Sequence, residues 1–385
     1  MTGHMLAAIE AILPEAVAWR REFHAYPELS FAEHRTGARV AELLRGFGCD
    51  SVEAGWSGTG VVAVINGNRP GRRIGLRADM DALPITEDSG VAFASTVPGV
   101  MHACGHDGHT AMLLAAAKHL AGSRDFAGMA VLIFQPGEEA GGGARAMISE
   151  GFLARYPIDE VYALHNMPGL AVGAYATRPG PIMAAADMFR IEISGRGGHA
   201  AQPHLALDPV MIAGHVLVAL QTVVSRNVDP LQAAVLSVST VVSEGAGACV
   251  IPARVVLTGT VRSFDPGVQD LLEDRLRAVV LGVTAAHGGV AEVEYLRDAP
   301  ATVNDAACAG HAVAVARGIS AAVEADVAPM MVSEDFSEFL NAVPGAFMFV
   351  GNGDGPLLHH PAYAYNDAGL PYGAAWLAGM MRARG

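Results

Sequence analysis

Charge is scarce in this chain. Asp, Glu, Lys and Arg together make up 17% of its 385 residues, and the acids outnumber the bases 39 to 25. The formal charge of -14 leaves no basic stripe to displace phosphate counterions, which argues against nucleic acid as a partner. An acidic surface is equally ill suited to an anionic membrane. No apolar run reaches the roughly eighteen residues of a spanning helix. The opening MTGHMLAAIEAILPEAVAWRREFHAYPELS is amphipathic and does not have the layout of a signal peptide. Cysteine is rare too: positions 49, 104, 249 and 308 show no paired spacing, so a disulfide frame is not expected and a reducing compartment, the cytosol, is. No internal repeat or low-complexity tract breaks the chain. Hydrophobic residues, in contrast, reach 51%, which suits a globular α/β protein, and the length exceeds one ordinary core, so two domains are expected.

Residues 5–48 read as two amphipathic helices broken near Pro27. Strand patterns follow at 61–67 and 72–81, then a helix over 109–123 with Asp107 as its expected N-cap, then strands at 130–139 and 160–167. Alternating strands and helices predict a mostly parallel sheet with both faces covered. Near residue 185 the pattern changes. Strands at 187–197, 233–244, 253–264 and 291–297, with helices at 208–227 and 266–288, make a small α/β sandwich inserted into the first domain. The first domain resumes from about residue 305, with a strand at 347–353.

The stretch HACGHDGHT (102–110) packs three histidines, a cysteine and an aspartate around two glycines. A core has no use for so many polar groups, and a surface loop would leave the thiol open to oxidation. A metal site, or a cysteine nucleophile with its base, remains. In an extended segment residues i and i+2 face the same way, so Cys104 and His106 can serve one centre. Asp79 in RADMD, Glu138 and Glu139 in QPGEEAGGGA, His165 in ALHNMPG and His359 in GPLLHHPAYAYND each lie where a predicted strand ends. Loops at the carboxyl ends of an open α/β sheet converge on one crevice, and this thiolate, imidazole and carboxylate set suits a transition metal. In the inserted domain, GRGGHA places His199 after a strand. Asn227, ending the long helix, and Arg262, in GTVRSF, are candidates for gripping a substrate carboxylate.

RADMDALP, HACGHDGHT, FQPGEEAGGGA, LHNMPG, GRGGHAAQPH, SEDFS and LHHPAYAYND, in this order and across the whole chain, resemble the motif set of the M20 metallopeptidase clan. The nearest branch is the amidohydrolases that include hippurate hydrolases, N-acyl-L-amino-acid amidohydrolases and auxin-conjugate hydrolases. That resemblance implies a zinc-peptidase-like α/β catalytic domain, residues 1–184 and 298–385, and an inserted α+β, ferredoxin-like lid and dimerisation domain, residues 185–297. It implies two divalent ions per chain, Zn²⁺ first and Mn²⁺, Co²⁺ or Ni²⁺ as alternatives, with Cys104, His106, Glu139, His165 and His359 as ligands. Glu138 would be the general base. His199 would be an oxyanion donor, commonly supplied by a partner subunit in a homodimer or a dimer-based tetramer. Other branches carry His-x-Asp where this chain has Arg77-Ala-Asp79, so Asp79 is expected to orient a ligand. No role follows for SEDFS (333–337).

The implied reaction is hydrolysis of the amide bond of an N-acyl-L-amino acid. An N-acetyl-diaminopimelate deacetylase or a small-peptide hydrolase is the alternative within the family. A cysteine hydrolase with Cys104 as nucleophile leaves Glu138, Glu139, His165 and His359 without a role. A non-catalytic binder of acylated peptides leaves Glu138 without one.

Overall fold

Segments such as VVAVI, IGLRAD and VLIFQ are apolar without alternation, and strands of that kind need cover on both faces. The computed structural model, which describes residues 3–245 and 247–385, pairs them in one eight-stranded sheet. Its four central strands are Ala127–Gln135, Arg69–Asp79, Glu160–Pro168 and Gly345–Gly353, adjacent in that order and mutually parallel. Gly60–Asn66 and Ser51–Trp56 extend one side antiparallel, and the short strands Tyr175–Ala176 and Val323–Glu324 finish the other. The helix His106–Ser123 is buried along most of its length, and Leu13–Ala25 and Leu370–Arg384 pack against it. Because the central strands are parallel, their carboxyl ends open on one side, and the predicted site residues follow from there.

The N-terminal region holds three helices where the sequence predicts two: Gly3–Glu10, Leu13–Ala25 and His34–Gly46. The extra break precedes Leu13-Pro14, since a proline belongs in a first turn. The strand Ser51–Trp56 carries no clear signal in the sequence. Asp107 is not the cap of its helix. The helix starts at His106 after Gly105, whose φ of 89° lies in the left-handed region, and no side chain caps it. A Cβ at Gly105 would come within 2.4 Å of Asn166 Nδ2, so glycine is required there by space as well as by torsion.

The chain divides into two compact units: one takes in residues up to Ile182, Thr302–Ala328 and Asp335–Gly385, the other Met183–Ala301 and Pro329–Glu334. The short return Pro329–Glu334 has no counterpart in the sequence reading. The second unit is built strand, helix, strand, strand, helix, strand, from Ala185–Ser194, Pro209–Asn227, Ala234–Ser243, Arg254–Ser263, Pro266–Ala286 and Val290–Ala299. Its first strand lies between the third and the fourth, all neighbours are antiparallel, and the order is ferredoxin-like. Asp208 and Asp265 cap the two helices, each ahead of a proline in the first turn. Pro209–Asn227 is, contrary to the expectation above, long and apolar enough to cross a membrane by length and composition. Its buried residues Ile212, Ala213, Val216, Leu220 and Val223 recur at helical spacing and belong to this unit's own core with Ile191, Leu257 and Leu276.

Candidate metal centre

The loop Pro136–Gly143, leaving the strand that ends at Gln135, carries Glu138 and Glu139. His106 opens a helix, Cys104 sits two residues before it, His165 lies near the end of its strand, and His359 follows Gly345–Gly353. These side chains converge. Cys104 Sγ lies 3.3 Å from His165 Nε2, and His359 Nε2 lies 3.3 Å from Glu139 Oε1. His106 Nε2 stands 3.8 Å from Glu139 Oε1, 3.9 Å from Glu138 Oε2 and 3.7 Å from Asp79 Oδ2. Donor atoms of Cys104, His106 and His165 lie within 4.8 Å of one another, as do those of Cys104, Glu139 and His359.

Two atoms decide what this cluster can hold. His106 Nε2 and Glu139 Oε1 are buried and have no hydrogen-bond partner. Separations of 3.7–3.9 Å are too long for hydrogen bonds. Two donors each about 2.0–2.1 Å from a tetrahedral ion would stand roughly 3.3 Å apart, near the separations found here. The donor set therefore fits divalent cations. Burial, with Glu139 next in weight, pushes the Cys104 thiol well above its ordinary range, the opposite of what an activated nucleophile needs. Burial and the nearby His109 push His165 well below its ordinary range, and a neutral imidazole is the ligating form.

Two aspartates divide the orienting work, and the one expected to orient a ligand, Asp79, holds His109 instead. Asp79 accepts from His109 Nδ1 at 2.6 Å and from Arg77 Nη1 at 2.7 Å. Its carboxylate thus reaches His106 only at 3.7 Å, and the imidazole it orients by hydrogen bond is that of His109. Against the cost of burial, His106 foremost and Arg77 hold Asp79 well below the usual carboxylate range. The residue that fixes His106 is Asp81, two positions on. Its backbone carbonyl takes the Nδ1 proton at 2.9 Å, and its carboxylate accepts from Glu139 N at 2.9 Å and Ser30 Oγ at 2.6 Å. The second aspartate of RADMD was the available signal. His109 Nε2 accepts from Asn166 N at 3.0 Å, so both ring nitrogens of His109 are engaged away from the donor cluster. Asn166 also donates to the Cys104 carbonyl at 2.7 Å and accepts from Tyr363 Oη at 2.6 Å, tying LHNMPG and HPAYAYND to the cysteine loop.

In the second unit His199 is exposed on the short strand Gly198–His199, and its Nδ1 accepts from Ala201 N at 3.1 Å. The neutral ring consequently carries its proton on Nε2, as a donor would. Asn227 gives its amide hydrogens to the Thr222 and Val223 carbonyls at 2.9 and 3.1 Å, which leaves a carboxylate little to bind unless those bonds break. Arg262 is half-buried, which lowers its guanidinium below the usual arginine range. It donates to the Val261 carbonyl at 3.0 Å and to Thr260.

The peptidase family M20/M25/M40 model matches residues 75–383. The chain belongs to the M20 family. Among its M20 relatives are an N-acetyl-L-cysteine deacetylase of Bacillus subtilis, 43% identical over 92% of this chain and 85% of that one, and a hippurate hydrolase of Campylobacter jejuni, 38% identical over 93% and 94%. A crystal structure of a Bacillus subtilis dinuclear metal-binding peptidase of the M20 family superposes with a TM-score of 0.84, at 32% identity, covering 97% of this chain and 98% of that one. The M20 fold therefore extends over the whole chain, inserted unit included.

The donor loop is also held from behind, by side chains far away in sequence. Asp107 accepts from His24 Nδ1 at 2.9 Å and from Arg20 at 3.4 Å, and His24 Nε2 bonds Glu87 at 3.1 Å. Burial works against a charged His24, but Asp107 and Glu87 raise it from 6.5 to about 9. A group that binds its proton more tightly when folded adds stability that is complete below pH 6.5 and lost as the pH rises through about 9. His24→Gln is therefore expected to lower the unfolding free energy, measured by denaturant titration, most at pH 6, with the gap to wild type shrinking by about 3 kcal/mol towards pH 9.5. A gap independent of pH would show that His24 is neutral in the folded protein.

Proposed function

We propose that the protein is a metal-dependent amidohydrolase that cleaves N-acyl-L-amino acids to a carboxylate and a free amino acid. The observation that carries this reading is a pair of buried ligating atoms that make no hydrogen bond, His106 Nε2 and Glu139 Oε1, within a cluster completed by Cys104, His165 and His359. These five side chains would hold two divalent ions. The thiolate favours Zn²⁺, with Mn²⁺, Co²⁺ or Ni²⁺ as alternatives. Such ions, when bound, supply Lewis acidity towards the amide carbonyl and lower the pKa of water.

Glu138, beside the proposed ligand Glu139, takes the proton of the attacking water and returns it to the leaving nitrogen. For that it must stay off the metal. His199 supplies a hydrogen bond from Nε2 to the oxygen of the tetrahedral intermediate, and the bond from Ala201 N to its Nδ1 supports the role, because it leaves the proton of a neutral ring on Nε2. Following the family pattern, that histidine comes from the partner in a homodimer. Arg262 is the better of the two candidates for the substrate carboxylate, because Asn227 has committed its hydrogens to its own helix. Four cysteines without disulfides support a reducing, cytoplasmic setting.

Metal removal tests the ligand assignment. Cys104→Ala or His106→Ala is expected to lose bound metal and activity together, as measured by elemental analysis and turnover. Glu138→Gln should keep its metal and lose catalysis roughly a hundredfold or more, whereas Glu139→Gln should lose metal. Reversed metal contents in the two glutamate variants would exchange their duties.

N-acyl amino acids should be cleaved with far higher kcat/KM than their amides, and Arg262→Ala should erase most of that preference by raising KM. Equal kcat/KM for acid and amide would remove the carboxylate grip from the mechanism.

Glu138→Ala and His199→Ala should each be nearly inactive alone. If the site is shared across a symmetric dimer, mixing the two under subunit exchange makes heterodimers with one site doubly damaged and one intact, so roughly a quarter of sites recover. No recovery despite demonstrated exchange would mean that His199 serves its own chain or has no catalytic part.

A further inference from the structure

Asp335, in the SEDFS segment, is the residue at which the chain re-enters the catalytic unit. It is 3% exposed. Its carboxylate takes four hydrogen bonds from three donors: Arg77 Nη2 at 2.9 Å, Gln135 Nε2 at 2.8 and 2.9 Å to its two oxygens, and Ala144 N at 2.9 Å. Gln135 is the last residue of its strand and Ala144 lies in the first turn of the helix Gly143–Ser149. Between them lies the loop Pro136–Gly143 with Glu138 and Glu139. One buried carboxylate thus grips both ends of the segment proposed to carry the base and a ligand.

The loop needs such a grip. AGGG is the most flexible stretch a chain can have, and Gly141 and Gly142 stand at φ 64° and 138°. The ends close so tightly that a Cβ on Gly143 would meet the Pro136 carbonyl at 1.7 Å. Inside the loop the backbone bonds Gly141 N to Glu138 O at 2.9 Å and Gly143 N to Gly137 O at 3.2 Å. Glu338, one turn past Asp335, takes Arg145 at 2.7 Å, so the docking of the two segments continues along the chain. A carboxylate oxygen of Asp335 lies within 4.8 Å of one of Glu138.

We propose that Asp335 is a positioning residue, a clamp that fixes the Glu138–Glu139 loop by holding Gln135 and Ala144 together and by seating Arg77 between itself and Asp79. The proposal rests on the assignment of Glu138 as general base only for its consequence in turnover; the clamp itself is a statement about the loop.

Hydrogen exchange and kinetics on the metal-loaded full chain separate the two. In Asp335→Ala, amides of 137–144 should exchange about tenfold faster or more, while those of 127–134 keep wild-type protection. kcat should fall roughly ten- to a hundredfold with KM within twofold, because a base displaced by an ångström loses rate and leaves binding untouched. Two equivalents of metal should remain. Asp335→Asn, which keeps the shape and one acceptor, should lie between wild type and alanine in both measurements, and it stands in if the alanine variant does not fold. Wild-type exchange of 137–144 in both variants would overturn the clamp. So would a change confined to KM, or protection lost equally across the sheet. If the wild type proves not to hydrolyse acylated amino acids while the exchange result holds, the functional reading falls and the clamp stands.

Discussion

Asp81 takes the proton of His106 Nδ1 on its backbone carbonyl and the Glu139 backbone N–H on its carboxylate, so one residue sets two donors of the cluster at once. With Nδ1 committed, the His106 ring can only present Nε2 to the cluster, and with its N–H held, Glu139 can only project from a fixed point. Ser30 adds a third donor to the same carboxylate. Because Asp81 is buried, its hydrogen bonds are not exchanged for water, and each acts at full strength in a medium of low polarity. The arrangement leaves His106 Nε2 and Glu139 Oε1 buried without a hydrogen bond, which is costly unless a bound group takes their place.

Acidic groups crowd this pocket, and their mutual repulsion has to be offset. Arg77, 1% exposed, does so by bonding Asp79 on one side and Asp335 and Gln135 on the other. Burying a guanidinium is expensive unless its donors are engaged, and three buried acceptors at 2.7–2.9 Å take one hydrogen from each of its nitrogens. In the His-x-Asp branches this position of the motif belongs to a histidine. Here a fixed cation occupies it, and it settles the charge of the sheet end. The proposed ligands are Cys104, His106, Glu139, His165 and His359, and Arg77 is not among them.

What could be read from the sequence was whatever depends on local order. Strand ends, the Cys-Gly-His spacing and adjacent glutamates are signals a few residues long, and the parallel core, the small inserted α/β sandwich and the strand-end candidates follow from them, whereas the ferredoxin-like insert and the ligand set come from the resemblance to the M20 clan. What could not be read depends on partners distant in the chain. Asp107 has the look of a helix cap because it precedes an apolar helical run; its carboxylate instead belongs to Arg20 and His24, more than eighty residues away. Asp335 bonds Gln135 across two hundred positions. Asp79 and Asp81 are both acidic neighbours of one strand end, and only the side on which each emerges decides that His109 falls to the first and His106 to the second.

The N-terminal segment completes the hold on the same loop. Glu33, fully buried, accepts from Gly137 N at 2.9 Å and Thr59 Oγ1 at 2.6 Å, and the Phe31 ring lies so close over Gly137 that a Cβ there would meet it at 2.6 Å. Phe31 itself stands at φ 61°, a strained torsion for an aromatic residue, which is tolerated where surrounding contacts over-determine it. Gly137 is thus pinned by Glu33, Glu139 by Asp81, and Gln135 and Ala144 by Asp335. Glu138 lies between two anchored residues, so its carboxylate moves from a fixed base. In the proposed role Glu138 would collect a proton from water and deliver it to a departing nitrogen, two positions reached in turn, and a side chain on an anchored backbone can do so without loosening the proposed ligand beside it.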